Sequence, residues 1–453
     1  MRPSLRSLDA RRLRDLAVSD TGRAAGLAAA VIVGNILALA FTVVFARILG
    51  GSGYGSLAAL ISAFIILMVP GQALQTTVAR EVSTELAAGD PAAGAGVKRW
   101  LRRLVMAGFA VIVVSVLARD LLAAAIGVHE LPWAAAATLP TGLLWLILSV
   151  ERGALQGFQE YKMVGASIAV EQFARLVLGL LLVLAVSGDE AEITGAFLGT
   201  PAALLATGLW LVIPLRRHLP SRSHAHEHPL RELFGRAAMP VAALGLVAWL
   251  QDGQVIIVKH LATDDAAGDY AAAAVAAKAI MWVAIGLSLY LVPEAARRTH
   301  LGQSATGVLA RTLGIIAAIA VPMVLVYAVA GEPILRIAFK LDGASDALPW
   351  LGLAMSMLAL SYLAVQYQLA LHRAAFILVL ALAAAAQPAA MIAIGGDELT
   401  SIALGLLGLN AALAVVVVLL AFRAVGGVRE IPDETATTPV APAEGTAAAP
   451  EPL

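Results

Sequence analysis

Twelve apolar runs divide almost the whole chain, and each is long enough to cross a bilayer, which needs about 20 residues. Soluble domains average about 45–50% apolar and about 25% charged residues. This chain is 60% hydrophobic and 14% charged, so a soluble fold would lack the polar surface to cover its core. The sequence therefore predicts an all-α polytopic membrane protein.

The predicted spans divide into an N-lobe, 24–215, and a C-lobe, 238–423, of six spans each, joined by a cytoplasmic loop, 216–237. Residues 1–23 combine Arg with regularly spaced Leu, which predicts a cytoplasmic amphipathic segment. Residues 424–453 are rich in Ala, Pro, Thr and Glu, which predicts a disordered cytoplasmic tail. The spans are 24–46, 54–78, 103–126, 131–150, 163–186, 193–214, 238–259, 270–292, 310–330, 348–371, 374–395 and 400–422.

Basic residues fall mostly on one side of these spans. The two tails and the even-numbered turns hold most of the 31 Lys and Arg residues. The opposite turns hold only Arg47, Arg119, Lys259, Arg336 and Lys340. Because cytoplasmic loops carry an excess of Lys and Arg, we expect a multi-pass protein of the inner membrane with both termini in the cytoplasm.

Charge and cysteine content exclude several function classes. The 31 basic and 31 acidic residues balance to zero, so nothing indicates a nucleic-acid partner. The chain has no Cys, which excludes disulfides, thiolate metal sites and thiol catalysis. It also contains no phosphate-cradling glycine loop, HExxH pair or nucleophile elbow. We therefore expect neither an enzyme nor a resident cofactor or metal.

The two halves repeat one another. The first hairpin reads VVFARILGGSGYGSLAALISAF (43–64), and the seventh and eighth spans read VIIVKHLATDDAAGDYAAAAVAAK (255–278). Each is an apolar run that ends in a basic residue, followed by a short turn, a Tyr and a helix of small residues. Six plus six spans related in parallel is a transporter architecture with the substrate path between the halves.

Four segments, by their order and spacing along the chain, carry a family resemblance: ARILGGSGYGSLAAL (46–60), ERGALQGFQEY (151–161), VAWLQDGQVIIVKHL (247–261) and LYLVPEAAR (289–297). Together they resemble the polysaccharide (lipid-linked oligosaccharide) flippases of the multidrug/oligosaccharidyl-lipid/polysaccharide exporter superfamily. The resemblance implies two six-helix lobes around a central cavity that opens alternately to each side. It also implies a polyprenyl pyrophosphate substrate carrying a short glycan, turned from the inner to the outer leaflet.

Four charged residues lie well inside the spans, away from their ends, where a charge near the bilayer centre costs about 2.5–3.5 kcal/mol. Glu171 and Arg175 lie four residues apart on one helix, so they share a face and can pair. Asp252 and Lys278 can pair if the seventh and eighth spans pack as a hairpin. We predict that all four line the substrate cavity, with Arg175 contacting phosphate and Asp252 taking a coupling H⁺ or Na⁺. The alternative is that both pairs are structural, with Lys278 reaching outward to the interface.

Uncharged and terminal polar groups complete the predicted site. Asn35, Gln72 and Gln75 could hydrogen-bond sugar hydroxyls, and the alternative is bonding between helices. Arg47 and Lys259 occupy matching outer ends of the first and seventh spans. We predict that they attract pyrophosphate at the outer mouth, and the alternative is that they anchor the helices at the interface.

The resemblance implies a flippase for lipid-linked oligosaccharides in cell-surface polysaccharide biosynthesis, and the polar residues inside the spans are consistent with one. Its partners would be the polyprenyl-pyrophosphate glycan, membrane lipid and the machinery for glycan assembly or polymerisation. One alternative is a cation-coupled multidrug efflux pump of the same superfamily. That pump would need a carboxylate in the first two spans, and neither 24–46 nor 54–78 has one. The other alternative is a non-transport membrane component of envelope assembly. The uncharged first two spans also count against lipid II as the substrate.

Overall fold

The computed structural model describes residues 20–90, 93–219, 230–395 and 398–423, and every regular element in these ranges is an α-helix. A backbone in hydrocarbon must satisfy its own polar groups, and a helix does this within one segment. The predicted all-α polytopic fold is confirmed. Most of the predicted amphipathic segment, the whole predicted tail and the centre of the loop between the halves lie outside the described residues.

The two halves have the same number of membrane crossings. Most of the helices are longer than the spans predicted from hydropathy. Hydropathy marks only the part of a helix inside lipid, whereas the helix continues into the interface. In the first half the helices are α1 (Asp20–Ala87), α2 (Ala95–Leu117), α3 (Arg119–Ile126), α4 (Pro132–Gly157), α5 (Tyr161–Leu184) and α6 (Asp189–His218). In the second half they are α7 (Leu230–Leu261), α8 (Asp264–Ala277), α9 (Ala279–His300), α10 (Thr306–Ala338), α11 (Leu348–Ala370), α12 (Phe376–Gly395) and α13 (Leu399–Arg423).

One helix accounts for two crossings. The described residues contain 11 helices that are long and apolar enough to span a membrane, and the first, Ala29–Ala87, has 59 residues. At about 1.5 Å per residue it far exceeds a hydrocarbon core of about 30 Å. It is broken at Gly50, whose φ of 67° and ψ of −170° are not helical. Glycine adopts this positive φ without steric cost. The chain therefore crosses once along the first limb of α1 (20–49) and again along the second limb (51–87), and the twelve predicted spans are confirmed.

Packing repeats between the halves as the sequence does. In the first half α4 is central and contacts α2, α6 and α1, while α5 packs on α6 and α1. In the second half α11 is central and contacts α10, α13 and α9, while α12 packs on α13 and α7. The largest helix contacts of one half thus have counterparts in the other.

Two separate cores underlie these halves. One is built from α1 to α6 and the other mainly from α7 to α13. The second core also takes in Ala46, Tyr54 and Ala58, which flank the Gly50 break in α1. We call this end of the bundle the Gly50 side; the distribution of Lys and Arg predicts it to be the outer side.

Small residues let helices within each half approach closely. A Cβ at Gly199 in α6 would lie 2.5 Å from the Cα of Gly179 in α5. At the corresponding place in the second half, a Cβ at Gly405 in α13 would lie 2.3 Å from the carbonyl oxygen of Ala390 in α12. Small residues at helix interfaces serve this purpose in membrane bundles, where the hydrophobic effect cannot drive association.

We expect Gly199→Ala to lower the midpoint of thermal unfolding, because the added methyl must push α5 and α6 apart and overpacking costs about 1–3 kcal/mol. Gly245→Ala in α7 is the matched control, since no atom lies within 4 Å of a Cβ placed there. Thermal unfolding of the two purified variants in detergent measures the difference. Equal midpoints would contradict the close packing of α5 on α6.

Candidate functional site

The first half contains a buried ion pair between α4 and α5. Nη2 of Arg152 lies 3.1 Å from Oε2 of Glu171, and the two side chains are 3% and 4% exposed. Arg152 also donates to the hydroxyl of Ser167 at 2.9 Å and to its carbonyl at 3.0 Å. A buried pair is stable only when further hydrogen bonds replace the lost hydration, and Ser167 supplies them.

Arg175, one turn beyond Glu171 on α5, packs on an aromatic ring instead of forming a salt bridge with that carboxylate. Its guanidinium carbon is 4.2 Å from the ring centroid of Phe41, on the first limb of α1. Among the described residues its Nε has no hydrogen-bond partner. The predicted pair of Glu171 and Arg175 is therefore replaced by the pair of Glu171 and Arg152. The predicted fourth span ends at residue 150, which leaves Arg152 in a cytoplasmic turn, but α4 continues to Gly157 and buries it.

Glu151, beside this ion pair in the chain, is a buried carboxylate that sequence analysis missed. Its side chain is 2% exposed and faces α6, where a Cβ at Gly208 would lie 3.4 Å from Oε2. That oxygen has no hydrogen-bond partner within the described ranges. Burial of an unpaired carboxylate is costly, so this group can take a proton or a cation. The one feature of the sequence that could have indicated Glu151 is that it begins the segment 151–161, which carries part of the family resemblance.

A second buried ion pair joins α7 to the junction of α8 and α9. Nζ of Lys278 lies 2.5 Å from Oδ1 of Asp252, and Gln251 donates to the other carboxylate oxygen at 3.2 Å. The predicted pairing of Asp252 with Lys278 is confirmed. Lys278 is the residue between the two helices, and its ammonium is directed to the buried Asp252 rather than to the interface.

Polar groups around this pair also form hydrogen bonds within the second half. The hydroxyl of Tyr270 donates to Gln254 at 2.8 Å, and Gln387 of α12 donates to the carbonyl of Leu250 at 3.0 Å. Both glutamines are buried. The polar stretch 251–254 is thereby shielded from lipid by hydrogen bonds inside its own half.

The predicted uncharged residues separate into two groups. Gln75 is half-buried and donates to Gln156 of α4 at 3.0 Å, which is the bond between helices that the alternative interpretation expects. Asn35 and Gln72, on the two limbs of α1, are exposed. The structure therefore keeps the four predicted charges inside the two halves and leaves Asn35 and Gln72 accessible.

The two basic residues predicted at the outer mouth bind protein groups on the Gly50 side. Nε of Arg47 donates to the carbonyl of Ala338 at 2.8 Å, and its Nη2 donates to the carbonyl of Ile337. Lys259 is buried and forms an ion pair with Asp264. Both side chains therefore already bind protein groups, whereas a residue that attracts pyrophosphate would need its positive charge free.

Backbone meets backbone where the two halves touch on the Gly50 side. A Cβ at Gly268 in α8 would lie 2.0 Å from the carbonyl oxygen of Gly51, and one at Gly55 would lie 2.9 Å from the nitrogen of Gly268. No side chain larger than hydrogen fits at Gly268. We call this contact the glycine seal.

Residues 24–297 match a family model described as polysaccharide biosynthesis protein. The match covers more than half of the 453 residues. The chain belongs to the polysaccharide biosynthesis protein family. No curated protein sequence matches it.

Solved transporters share the fold of this family member. A multidrug resistance MATE family transporter of the MOP superfamily, in an inward-facing conformation, matches with a TM-score of 0.73 at 12% identity, over 86% of this chain and 94% of that one. An outward-facing structure of such a transporter matches at 0.60 and 14% identity, over 89% and 95%. A MOP superfamily transporter from Pyrococcus furiosus, described as having a binding pocket of reverse polarity, matches at 0.55 and 14%, over 89% and 95%.

We expect Gly51→Cys/Asp265→Cys in this polysaccharide biosynthesis family protein to form a disulfide across the glycine seal. A Cβ at Gly51 would lie 3.5 Å from the Cβ of Asp265, within the range of about 3.5–4.5 Å that disulfides need. Because the chain has no Cys of its own, oxidation should abolish maleimide labelling, and reduction should restore it.

Gly51→Cys/Ser304→Cys is the control for this disulfide. Ser304 is exposed between α9 and α10, on the side opposite Gly50, so this pair should keep both thiols under the same oxidation. Full labelling of oxidised Gly51→Cys/Asp265→Cys would contradict the closed seal.

Proposed function

We propose that this protein flips a polyprenyl-pyrophosphate-linked oligosaccharide from the cytoplasmic to the outer leaflet by alternating access, for cell-surface polysaccharide biosynthesis. The observation that carries the proposal is the family match, which includes the whole first half and the first hairpin of the second. The fold shared with MOP superfamily transporters supports a transport role. Machinery for glycan assembly or polymerisation would supply or receive the glycan.

The Gly50 side faces outward in this proposal, with the protein in the inner membrane and both termini in the cytoplasm. The excess of Lys and Arg at the other end supports this orientation. With the glycine seal in place, the described conformation is then the inward-facing one. The higher TM-score with the inward-facing transporter, 0.73 against 0.60, agrees with that assignment.

The substrate headgroup enters between the halves while the polyprenyl tail stays in lipid. Removing a diphosphate and its sugars from water is costly unless polar groups replace the water. Asn35 and Gln72 are exposed and can bond sugar hydroxyls. Arg175 supplies the cation: it is buried against Phe41, and a shift of the first limb of α1 uncovers it for the pyrophosphate.

Flipping is measured with purified protein in liposomes that hold a fluorescent polyprenyl-pyrophosphate glycan, as the fraction of glycan that becomes accessible on the far leaflet. We expect Arg175→Gln to slow flipping by about tenfold or more, because a hydrogen bond from a charged donor to phosphate is lost. Arg175→Lys should keep partial activity, since it retains the charge.

Normal flipping by Arg175→Gln would remove Arg175 from the site, and the absence of flipping by the unmodified protein would overturn the function. Glycosyl transfer by the purified protein would show an enzyme instead. A drug-resistance phenotype that follows expression, without flipping, would favour the efflux pump. The likeness to multidrug transporters supports that second candidate, and the absence of a carboxylate from 24–46 and 54–78 weighs against it.

A coupling H⁺ or Na⁺ binds Asp252 in this proposal, in exchange for the ammonium of Lys278. Replacing Asp252 alone would leave Lys278 buried without a partner, at a cost of about 3–5 kcal/mol. The double variant Asp252→Leu/Lys278→Met removes both charges and should be close to neutral for folding. We expect it to insert normally, and its flipping rate to lose any response to an imposed proton or sodium gradient.

Arg152→Met/Glu171→Leu is the matched control, because it removes the other buried ion pair in the same way. It should keep the gradient response. An unchanged response in Asp252→Leu/Lys278→Met would show that this pair is a structural bridge, and would leave Glu151 as the carboxylate to test next.

A further inference from the structure

We infer that two reciprocal contacts between the halves act as latches that hold the Gly50 side closed. In each latch, basic side chains at the end of one half's first span reach the carbonyl end of the third span in the other half. The first latch joins Arg47 to the end of α10. The second joins His260 and Lys259 to the end of α3 and the residue that follows it.

The first latch satisfies carbonyls that α10 cannot satisfy itself. The last four carbonyls of a helix have no partner within the helix. Those of Leu335 and Arg336 accept N–H groups from the two residues that follow the helix, at 2.8 and 3.1 Å. The next two carbonyls, of Ile337 and Ala338, accept from Arg47. A cation there also meets the negative end of the helix dipole.

The second latch repeats this arrangement at the end of α3. The carbonyls of Ala123 and Ala124 accept the N–H of Gly127, at 3.0 and 3.3 Å. The next carbonyl, of Ala125, lies 3.2 Å from Nε2 of His260. Because a carbonyl only accepts, the imidazole donates from Nε2. The stem of Lys259 covers Gly127, where a Cβ would lie 3.1 Å from its Cγ.

The two contacts are equivalent in the two halves, so a single conformational role accounts for both of them. Arg47 and Lys259 occupy the same place in the sequence repeat, at the ends of VVFAR and VIIVK. Arg47 donates to the third span of the opposite half. Lys259 pairs its ammonium with Asp264 of its own half, while its stem and the adjacent His260 contact the end of the third span of the opposite half. Both latches therefore break if the halves separate on the Gly50 side, and both re-form when the glycine seal closes.

Arg336 shows that a basic residue at this end of the bundle need not cross to the other half. It lies in the last turn of α10 and pairs with Glu332 of the same helix at 2.9 Å. Separation of the halves would leave that pair intact. Arg336 is therefore the matched control for Arg47.

The test measures how often the seal opens, by maleimide labelling of Ala58→Cys in the purified protein. Gly51, Gly55 and Ala58 lie on one face of α1 by their spacing, and Ala58 is buried in the core of the other half. A buried thiol reacts only when its surroundings open, so the labelling rate follows the open population.

We expect Arg47→Gln to raise this rate about tenfold, which is typical for the loss of hydrogen bonds from a charged donor. Arg336→Gln should leave it unchanged. His260→Ala should also raise the rate, and combining it with Arg47→Gln should multiply the two effects, because the latches share no partner. Arg47→Lys should restore part of the closure.

Unfolding is distinguished from opening by Ala196→Cys, which lies in the core of the first half and not in the core that packs on Ala58. Its labelling should stay slow in Arg47→Gln. Equal rates for Arg47→Gln and Arg336→Gln at Ala58→Cys would overturn the latch, and so would a parallel rise at Ala196→Cys. The labelling needs neither substrate nor gradient, so its result is independent of the proposed glycan.

Discussion

Backbone contact between Gly51 and Gly268 sets the distance between the two halves on the Gly50 side. Only at that distance can Arg47 reach the end of α10 and His260 reach the end of α3. In lipid the hydrophobic effect cannot hold helices together, so close approach of small residues and hydrogen bonds must do so. The glycine seal provides the close approach of small residues, and the two latches provide the hydrogen bonds.

Each half contains one buried ion pair of its own. Arg152 with Glu171 and Asp252 with Lys278 form two ion pairs, each contained within one half. Pairing of this kind removes the cost of single charges in the membrane, and it lets each half move as a unit without separating a pair. Arg175 differs, since within the described residues its guanidinium lies on an aromatic ring and forms no salt bridge. A cation held in this way is available to an anionic substrate at a smaller cost than one drawn from an ion pair.

Features that depend on local chemistry were predicted well from the sequence. The twelve spans follow from the requirement that lipid-exposed backbone be helical, and the pairing of Asp252 with Lys278 follows from a hairpin of neighbouring spans. Glu171 was assigned the wrong partner because a spacing of four shows only that two residues share a face. It does not show that α4 extends far enough to bring Arg152 to that face. Gln75 was similarly ambiguous, because its bond to Gln156 depends on how α1 packs against α4.

The sequence by itself determined the membrane class, the number of spans, the repeat and the family resemblance, because each is written in composition and spacing along the chain. The tertiary structure alone decided that Glu171 pairs with Arg152, that Glu151 is buried with an oxygen unpartnered among the described residues, and that Arg47 and His260 cross to the opposite half. These depend on distances between helices far apart in sequence. Such distances are set by the fit of small residues at the contacts, which no single segment records.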